Sequence, residues 1–133
     1  AQLQLYRQRR ADARHGLVMG NPILERARLH FKPDEPRRID VPEWGEAPGT
    51  PLVLFAKPVT MADKKLLNNR YKDGGLQEMY VHALILKATD ANGKPAFDLG
   101  DKRDLMHTAD PAVVERIAQQ ILHVADLEDA EKN

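Results

Sequence analysis

The chain has 133 residues, with 20 Lys and Arg against 20 Asp and Glu, no cysteine and one tryptophan. A chain of this length can bury one modest core, so we expect one small domain. The lack of cysteine excludes a disulfide-stapled scaffold and a thiol nucleophile, and the net charge of zero disfavours a dedicated nucleic-acid binder.

The first 18 residues are basic, with four arginines against one acid. They lack a convincing apolar stripe, so we expect a mobile basic arm or a remnant of upstream sequence, with Met19 as the natural start of translation. Asn21 before Pro22 is a typical helix start. It predicts a helix over residues 22–31, with an apolar side formed by Leu24, Ala27, Leu29 and Phe31.

The next segment, residues 32–51, contains too many prolines for a regular helix and is expected to be extended. Within it, residues 38–41 alternate polar and apolar in the period of a strand. Residues 52–56 are a compact apolar run. We predict that these two short strands pair across the loop formed by residues 43–49.

Two helices are predicted on either side of a glycine pair. Thr60 with Asp63 is a variant of the capping box and predicts a helix that runs to Tyr71 and stops at residues 73–75. Residues 76–87 carry apolar side chains at helical spacing and are expected to be central to the core. The apolar set of this second helix is Leu76, Met79, Tyr80, Val81, Ala83, Leu84, Ile85 and Leu86.

The remaining segments are a turn, a short amphipathic element and a long helix. Residues 90–95 have the composition of a turn. Residues 101–107 are expected to bury Leu105 and Met106. Asp110 before Pro111 predicts a helix with one apolar stripe up to Ala125, and residues 126–133 are expected to be a frayed acidic tail.

These elements predict a mainly α fold with a small β element, of the α+β class. It comprises about four helices, a short two-stranded hairpin and an extended Pro-rich N-terminal connection, in one globular domain over residues 19–125. The longest apolar run, residues 83–86, is far shorter than the roughly 20 residues of a membrane span, and no leader is recognisable. We therefore expect a soluble protein without a targeting signal.

No motif indicates catalysis or metal binding. The loop at Asp90 departs from the calcium-binding pattern at its glycine and its final ligand, and the five histidines show no ligand spacing. His82 is expected to be a hydrogen-bonded, partly buried residue. The chain has no serine or cysteine to serve as a nucleophile. The acids Asp98, Asp101 and Asp104 are interpreted as a solvated turn rather than a general acid and base, so we expect neither an enzyme nor a cofactor.

Trp44 lies in a Pro-rich loop, where its indole must fold onto the core or anchor a partner, because full exposure leaves a large apolar area in water. Core packing is favoured, and the partner role stays open. The basic runs at residues 7–10 and 37–38 have no interleaved aromatic residues and are interpreted as solvated surface.

The order of these features resembles the tail assembly chaperones of long-tailed phages and prophages. The similarity covers residues 19–125 and is strongest at residues 41–45 (Val-Pro-Glu-Trp-Gly) and residues 92–105. It implies a small helical subunit without catalytic residues. Such a subunit self-associates into a ring or spiral in the host cytoplasm and coats the tape measure protein until the tail tube polymerises. It is absent from the mature virion.

The resemblance also implies a longer frameshifted form that recruits the tail tube protein, and this chain looks like the short form. We expect partner contacts at Trp44, Phe55, Ile117 and Ile121. Two alternatives remain: another phage structural subunit, such as a tail terminator or head–tail connector with a larger sheet, and a small DNA-associated regulator that uses the arm at residues 7–10.

Overall fold

The computed structural model describes the backbone of residues 20–132 and the side chains of residues 20–122. The predicted basic arm lies outside these residues. By its internal contacts the chain divides into two units, residues 1–32 and residues 33–133, which are described separately.

In the first unit, the described residues form helix α1 (Pro22–Phe31). The Asn21 side chain caps it by accepting a hydrogen bond from the Ile23 N–H at 2.9 Å. At the other end, Lys32 adopts a left-handed conformation with φ of 52° and donates its N–H to the Arg28 carbonyl. The predicted helix is confirmed. None of its side chains is buried, so the predicted apolar side forms no core.

The second unit confirms the α+β class. Its elements in chain order are β1 (Arg37–Val41), a 3-10 turn (Pro42–Trp44), β2 (Leu52–Ala56), α2 (Met61–Lys87), a second 3-10 turn (Leu99–Asp101), α3 (Lys102–His107) and α4 (Pro111–Lys132). No helix in the described residues is long and apolar enough to cross a membrane.

The two predicted strands pair in antiparallel register, with Ile39 opposite Leu54 at the centre. Ile39 and Leu54 are buried, because alternate side chains of each strand face the core. The sequence did not indicate a further pairing of β2 with the chain after α2. There Phe55 and Thr89 exchange backbone hydrogen bonds of 2.9 and 2.7 Å.

Helix α2 is a helical hairpin rather than one rod. Gly75 interrupts it with φ of 89° and ψ of −173°, and residues 61–74 and 76–87 form its first and second arms. Twelve residues of helix span about 18 Å, yet the Lys87 ammonium lies 2.9 Å from the Asp63 carboxylate. The arms therefore run antiparallel, as the predicted stop at residues 73–75 requires.

Asp63 has two roles at the open end of this hairpin. Its carboxylate accepts the Thr60 N–H at 3.0 Å while the Thr60 hydroxyl accepts the Asp63 N–H, so the predicted capping box is confirmed. The same carboxylate oxygen accepts a hydrogen bond from Lys87, which also donates to the Pro58 carbonyl at 3.3 Å. The Asp63 carboxylate therefore both caps the first arm and holds the end of the second arm against it.

The core of the second unit lies between the hairpin arms, α4 and the inner face of the sheet. Its buried apolar side chains are Ile39, Val41, Leu54, Ala56, Leu67, Val81, Ala83, Leu84, Ala88, Leu105, Val113, Val114, Ile117, Ala118 and Ile121. Leu76 and Leu86, which were expected to belong to the buried apolar set, are exposed. Leu76 is the first residue of the second arm, and Leu86 faces solvent although Leu84 and Ala88 on either side of it are buried.

Helix α4 extends to Lys132 and so includes most of the segment that was expected to be an acidic tail. Ala, Leu, Glu and Lys are common after Ala125 and have high intrinsic helix propensity, which favours continuation of the helix.

We predict that Asp63→Ala lowers the free energy of unfolding by about 1–3 kcal/mol, because it removes a cap and leaves the Lys87 ammonium, on a side chain only 12 % exposed, without its carboxylate. Asp63→Asn is the matched control, since an amide retains the capping acceptor and loses only the charge, and it should cost less. Urea unfolding of Asp63→Ala, Lys87→Ala and the double variant measures the coupling. Strict additivity of the single losses would contradict direct arm closure.

A second prediction concerns Gly75, where the chain reverses direction between the two arms of α2. Gly75 occupies a region of backbone conformation that is essentially restricted to glycine, so Gly75→Ala should cost about 1–3 kcal/mol. Asn69→Ala, at an exposed position of the first arm, should change stability by less than about 0.5 kcal/mol. An equally small effect of Gly75→Ala would show that the hairpin does not need this conformation.

Candidate partner-binding site

An open apolar groove lies among the second arm of α2, helix α3 and the start of α4. We call it the α2–α4 groove. Its apolar lining is Tyr80, Val81, Leu105, Met106, Ala109, Pro111 and Val114. Its polar lining is Gln77, His107 and Glu115.

The volume of the groove is about 250 Å³. Small-molecule sites usually enclose about 300–1,000 Å³ and carry convergent polar groups. The α2–α4 groove is smaller, mostly apolar and open on one side, which suits the insertion of one or two apolar side chains from a partner protein. Met106 is 38 % exposed at this groove, and its flexible thioether can adapt to different partner side chains.

Short polar contacts fix the two helices that form the groove with α2. Asp98 and Asp101 cap each other reciprocally, the Asp98 N–H donating to Asp101 at 2.9 Å. Lys102 then pairs with Glu78 of the second arm at 2.9 Å and lowers the pKa of that carboxyl. Asp98 and Asp104 are exposed, in keeping with the predicted solvated turn. The Asp98–Asp101 cap orders the chain before α3, and Lys102 joins α3 to the hairpin.

The start of α4 is also fixed locally. Asp110 accepts the Ala112 N–H at 3.0 Å, and Pro111 occupies the first turn, where a missing N–H has no cost. The predicted cap is confirmed. Only Leu105 of the short element before it is buried, whereas Met106 faces solvent at the groove. Leu105 faces the core, whereas Met106, about 100° further round the six-residue helix α3, lies at the groove.

Among the side chains that the structure describes, His82 is the one polar residue that is buried. Burial, followed by the nearby positive charges of Arg70 and Lys102, lowers its pKa below the ordinary value of 6.5, so the imidazole is neutral at pH 7. Its Nε2 has no hydrogen-bond partner among the described residues, so the predicted hydrogen bond is not found at that nitrogen. The described residues contain no group of three or more potential metal ligands.

The loop at Asp90, compared above with calcium-binding loops, is a turn. One Asp90 carboxylate oxygen accepts the N–H groups of Asn92 and Lys94, at 2.8 and 3.0 Å. Gly93 supplies a positive φ of 82°. The carboxylate therefore has a local structural role in closing the turn.

Trp44 packs against the core, as favoured from the sequence. Its ring meets Phe97 edge to face, with centroids 6.5 Å apart and an interplanar angle of 76°. Gly45 makes this path of the chain possible, because a Cβ there would lie 2.0 Å from the Thr50 carbonyl oxygen. Beside it, Glu43 forms a bidentate ion pair with Arg116 of α4.

The four residues expected to contact partners do not form one surface. Ile117 and Ile121 are 0 % and 3 % exposed and belong to the core of the chain itself, so in this structure they offer no surface to a partner. Trp44 and Phe55 are half-buried, in the loop after β1 and in β2. The part of the predicted α4 stripe whose side chains the structure describes, Val113 to Ile121, packs inward.

The sequence reasoning missed the groove because its lining comes from three separate elements. Tyr80, Leu105 and Val114 each looked like an ordinary core residue of its own helix. Met106, next to buried Leu105 in the short amphipathic segment, was the available signal. Its exposure depends on how α3 is oriented, which local periodicity does not determine.

Comparison with known proteins found no matching family model, no matching curated protein and no matching solved structure.

We predict that the ion pair of Glu43 makes stability depend on acid pH. The Arg116 hydrogen bond lowers the pKa of Glu43 from 4.5 to about 2. A carboxyl with a lowered folded-state pKa stabilises the fold above its unfolded-state pKa and loses that contribution as pH falls through its folded-state pKa. Glu43→Gln should therefore unfold more easily than the parent at pH 7, with the difference shrinking from about pH 4.5 towards pH 2.

Guanidinium unfolding of both proteins across this range measures the effect. Glu46→Gln, in the same loop and exposed, is the matched control and should show a smaller pH-dependent difference. A gap between parent and Glu43→Gln that stays constant down to pH 2 would contradict the ion-pair account.

Proposed function

We propose that this protein is a phage tail assembly chaperone, which coats the tape measure protein in the host cytoplasm until the tail tube polymerises around it. The observation that carries the proposal is the α2–α4 groove, an open apolar site with Met106 exposed at it. A groove of this size and chemistry supports a binding role for apolar side chains of an extended partner.

Helical partners bind such grooves through apolar side chains that repeat every three or four residues. A tape measure protein is long, so it presents many such sites along its length. A small subunit that contacts it at one groove per copy then covers it by stacking many copies. Self-association is therefore part of the proposed function, and a longer form of the chain recruits the tail tube protein.

The residues that carry the family resemblance have clear structural roles. Trp44 and Gly45 fix the loop after β1, and the rings of Trp44 and Phe97 pack edge to face. These contacts support a shared core around the groove-forming elements, and they involve no group placed for catalysis. The proposal accordingly assigns the protein no enzymatic activity and no cofactor.

The alternative of a tail terminator or connector has less support. Such a subunit was expected to carry a larger sheet, whereas the described residues form a two-stranded sheet with isolated bridges at its edge. The basic run at residues 7–10, on which a DNA-associated role depends, lies outside the described residues.

We predict that Met106→Asp abolishes the coating of the tape measure protein without unfolding the chain. A charge in the groove opposes insertion of apolar side chains, and loss of a central contact of this kind weakens binding at least about tenfold. The test is co-expression of each variant with the tape measure protein of the same genome, followed by measurement of soluble tape measure protein and of its copurification.

Met61→Asp is the matched control, because Met61 is 81 % exposed and lies outside the groove. It should behave like the parent. If the parent chain fails to keep the tape measure protein soluble, the proposed function is wrong. If Met106→Asp and Met61→Asp behave alike, the groove is not the binding site.

A further inference from the structure

The outer edge of β1 is an open sheet edge. Phe55 uses its backbone N–H and carbonyl on Thr89, on the side of β2 away from β1. In an antiparallel pair of strands, the backbone N–H and carbonyl groups of two opposite residues either bond to each other or both point away from the other strand. The backbone groups of Arg38, which lies opposite Phe55, therefore point away from β2. Those of Asp40, two residues further on, point the same way. The described part of the chain offers the backbone groups of Arg38 and Asp40 no backbone partner.

Proline limits this edge on both sides. Pro36 and Pro42 lie at the positions where the strand would next point outward, and neither has an N–H. The edge therefore offers N–H groups at Arg38 and Asp40 alone. Their side chains are 62 % and 54 % exposed and form an ion pair of 2.8 Å along the outer face.

We propose that a second copy of this chain pairs with β1 along this edge, antiparallel and about a two-fold axis at Ile39. In that register Arg38 of each copy lies opposite Asp40 of the other. Both outward residues then exchange N–H and carbonyl hydrogen bonds across the axis, and opposite charges face each other. Two separate two-stranded sheets become one continuous sheet.

The same residues disfavour the slipped registers. A shift of two residues in one direction places Arg38 opposite Arg38 of the second copy and Asp40 opposite Pro36. A shift in the other direction places Asp40 opposite Asp40 and Arg38 opposite Pro42. Each slip creates a like-charge pair and loses an N–H donor, so the edge fits one register of itself.

This charge complementarity identifies the occupant as a second copy rather than an unrelated strand. The inference rests on the proposed function in one respect: it assigns a surface to one pairwise contact within the self-association which that function requires. A two-fold contact joins only two copies, so the stacking of these pairs uses a further surface. A strand of five residues buries much less than the roughly 1,600 Å² of a standard stable interface. We therefore expect weak, concentration-dependent pairing of free chains, reinforced when a tape measure protein holds copies side by side.

The experiment is a charge swap followed by sedimentation velocity of the full chain over a range of concentrations. Arg38→Asp places two aspartates opposite each other at each pair, and Asp40→Arg places two arginines. Each variant alone should self-associate at least about tenfold more weakly than the parent, because like charges meet across the edge. A mixture of the two variants restores every opposite-charge pair and should form a mixed dimer at the parental affinity.

Circular dichroism tests whether each variant is folded. Recovery of association in the mixture is a second sign that both variants are folded. A parent chain that stays monomeric at every concentration overturns the proposal, as does self-association that neither charge variant weakens or that mixing does not restore. Failure of the proposed function is distinguishable: a parent that pairs through β1 but leaves the tape measure protein insoluble refutes that function and not this interface.

Discussion

The contact between Lys87 and Asp63 closes the helical hairpin on which the rest of the second unit depends. It forms where the first arm begins and the second arm ends, with both side chains less than one-fifth exposed. Burial alone raises the pKa of Asp63, but hydrogen bonds from Thr60 and Lys87 outweigh it and leave that pKa below the usual value of 3.8. Because the second arm supplies Tyr80 and Val81 to the α2–α4 groove, closure of the hairpin also positions that wall of the site.

The reversal at Gly75 and the closure by Asp63 are complementary constraints. Glycine permits the chain to turn back after a single non-helical residue, and the ion pair joins the two arms at their far ends. The second arm then packs with α4, and α4 in turn contacts the inner face of β1. Glu43 and Arg116 add a link between α4 and the loop after β1.

Much of this fold follows from local patterns. The caps at Asn21, Thr60 and Asp110, the stop before Gly75 and the two strands were predictable, because each depends on residues within one or two turns of the chain. Contacts between distant residues were not, since nothing in the sequence near Glu43 indicates Arg116, and nothing near Asp63 indicates Lys87. The groove belongs to this second class. Helical periodicity predicts which side chains lie on the apolar face of a helix. The packing of three elements decides which of these, such as Ile117, are buried and which, such as Met106, are exposed.

We propose that the α2–α4 groove holds the tape measure protein. Photo-crosslinking tests this contact, with a benzophenone amino acid placed at position 106 and, in a separate chain, at the exposed position 61 outside the groove. After irradiation of each chain co-expressed with the tape measure protein of the same genome, we expect a crosslink to that protein from position 106 and little or none from position 61. Crosslinking from position 61 with none from position 106 would contradict it.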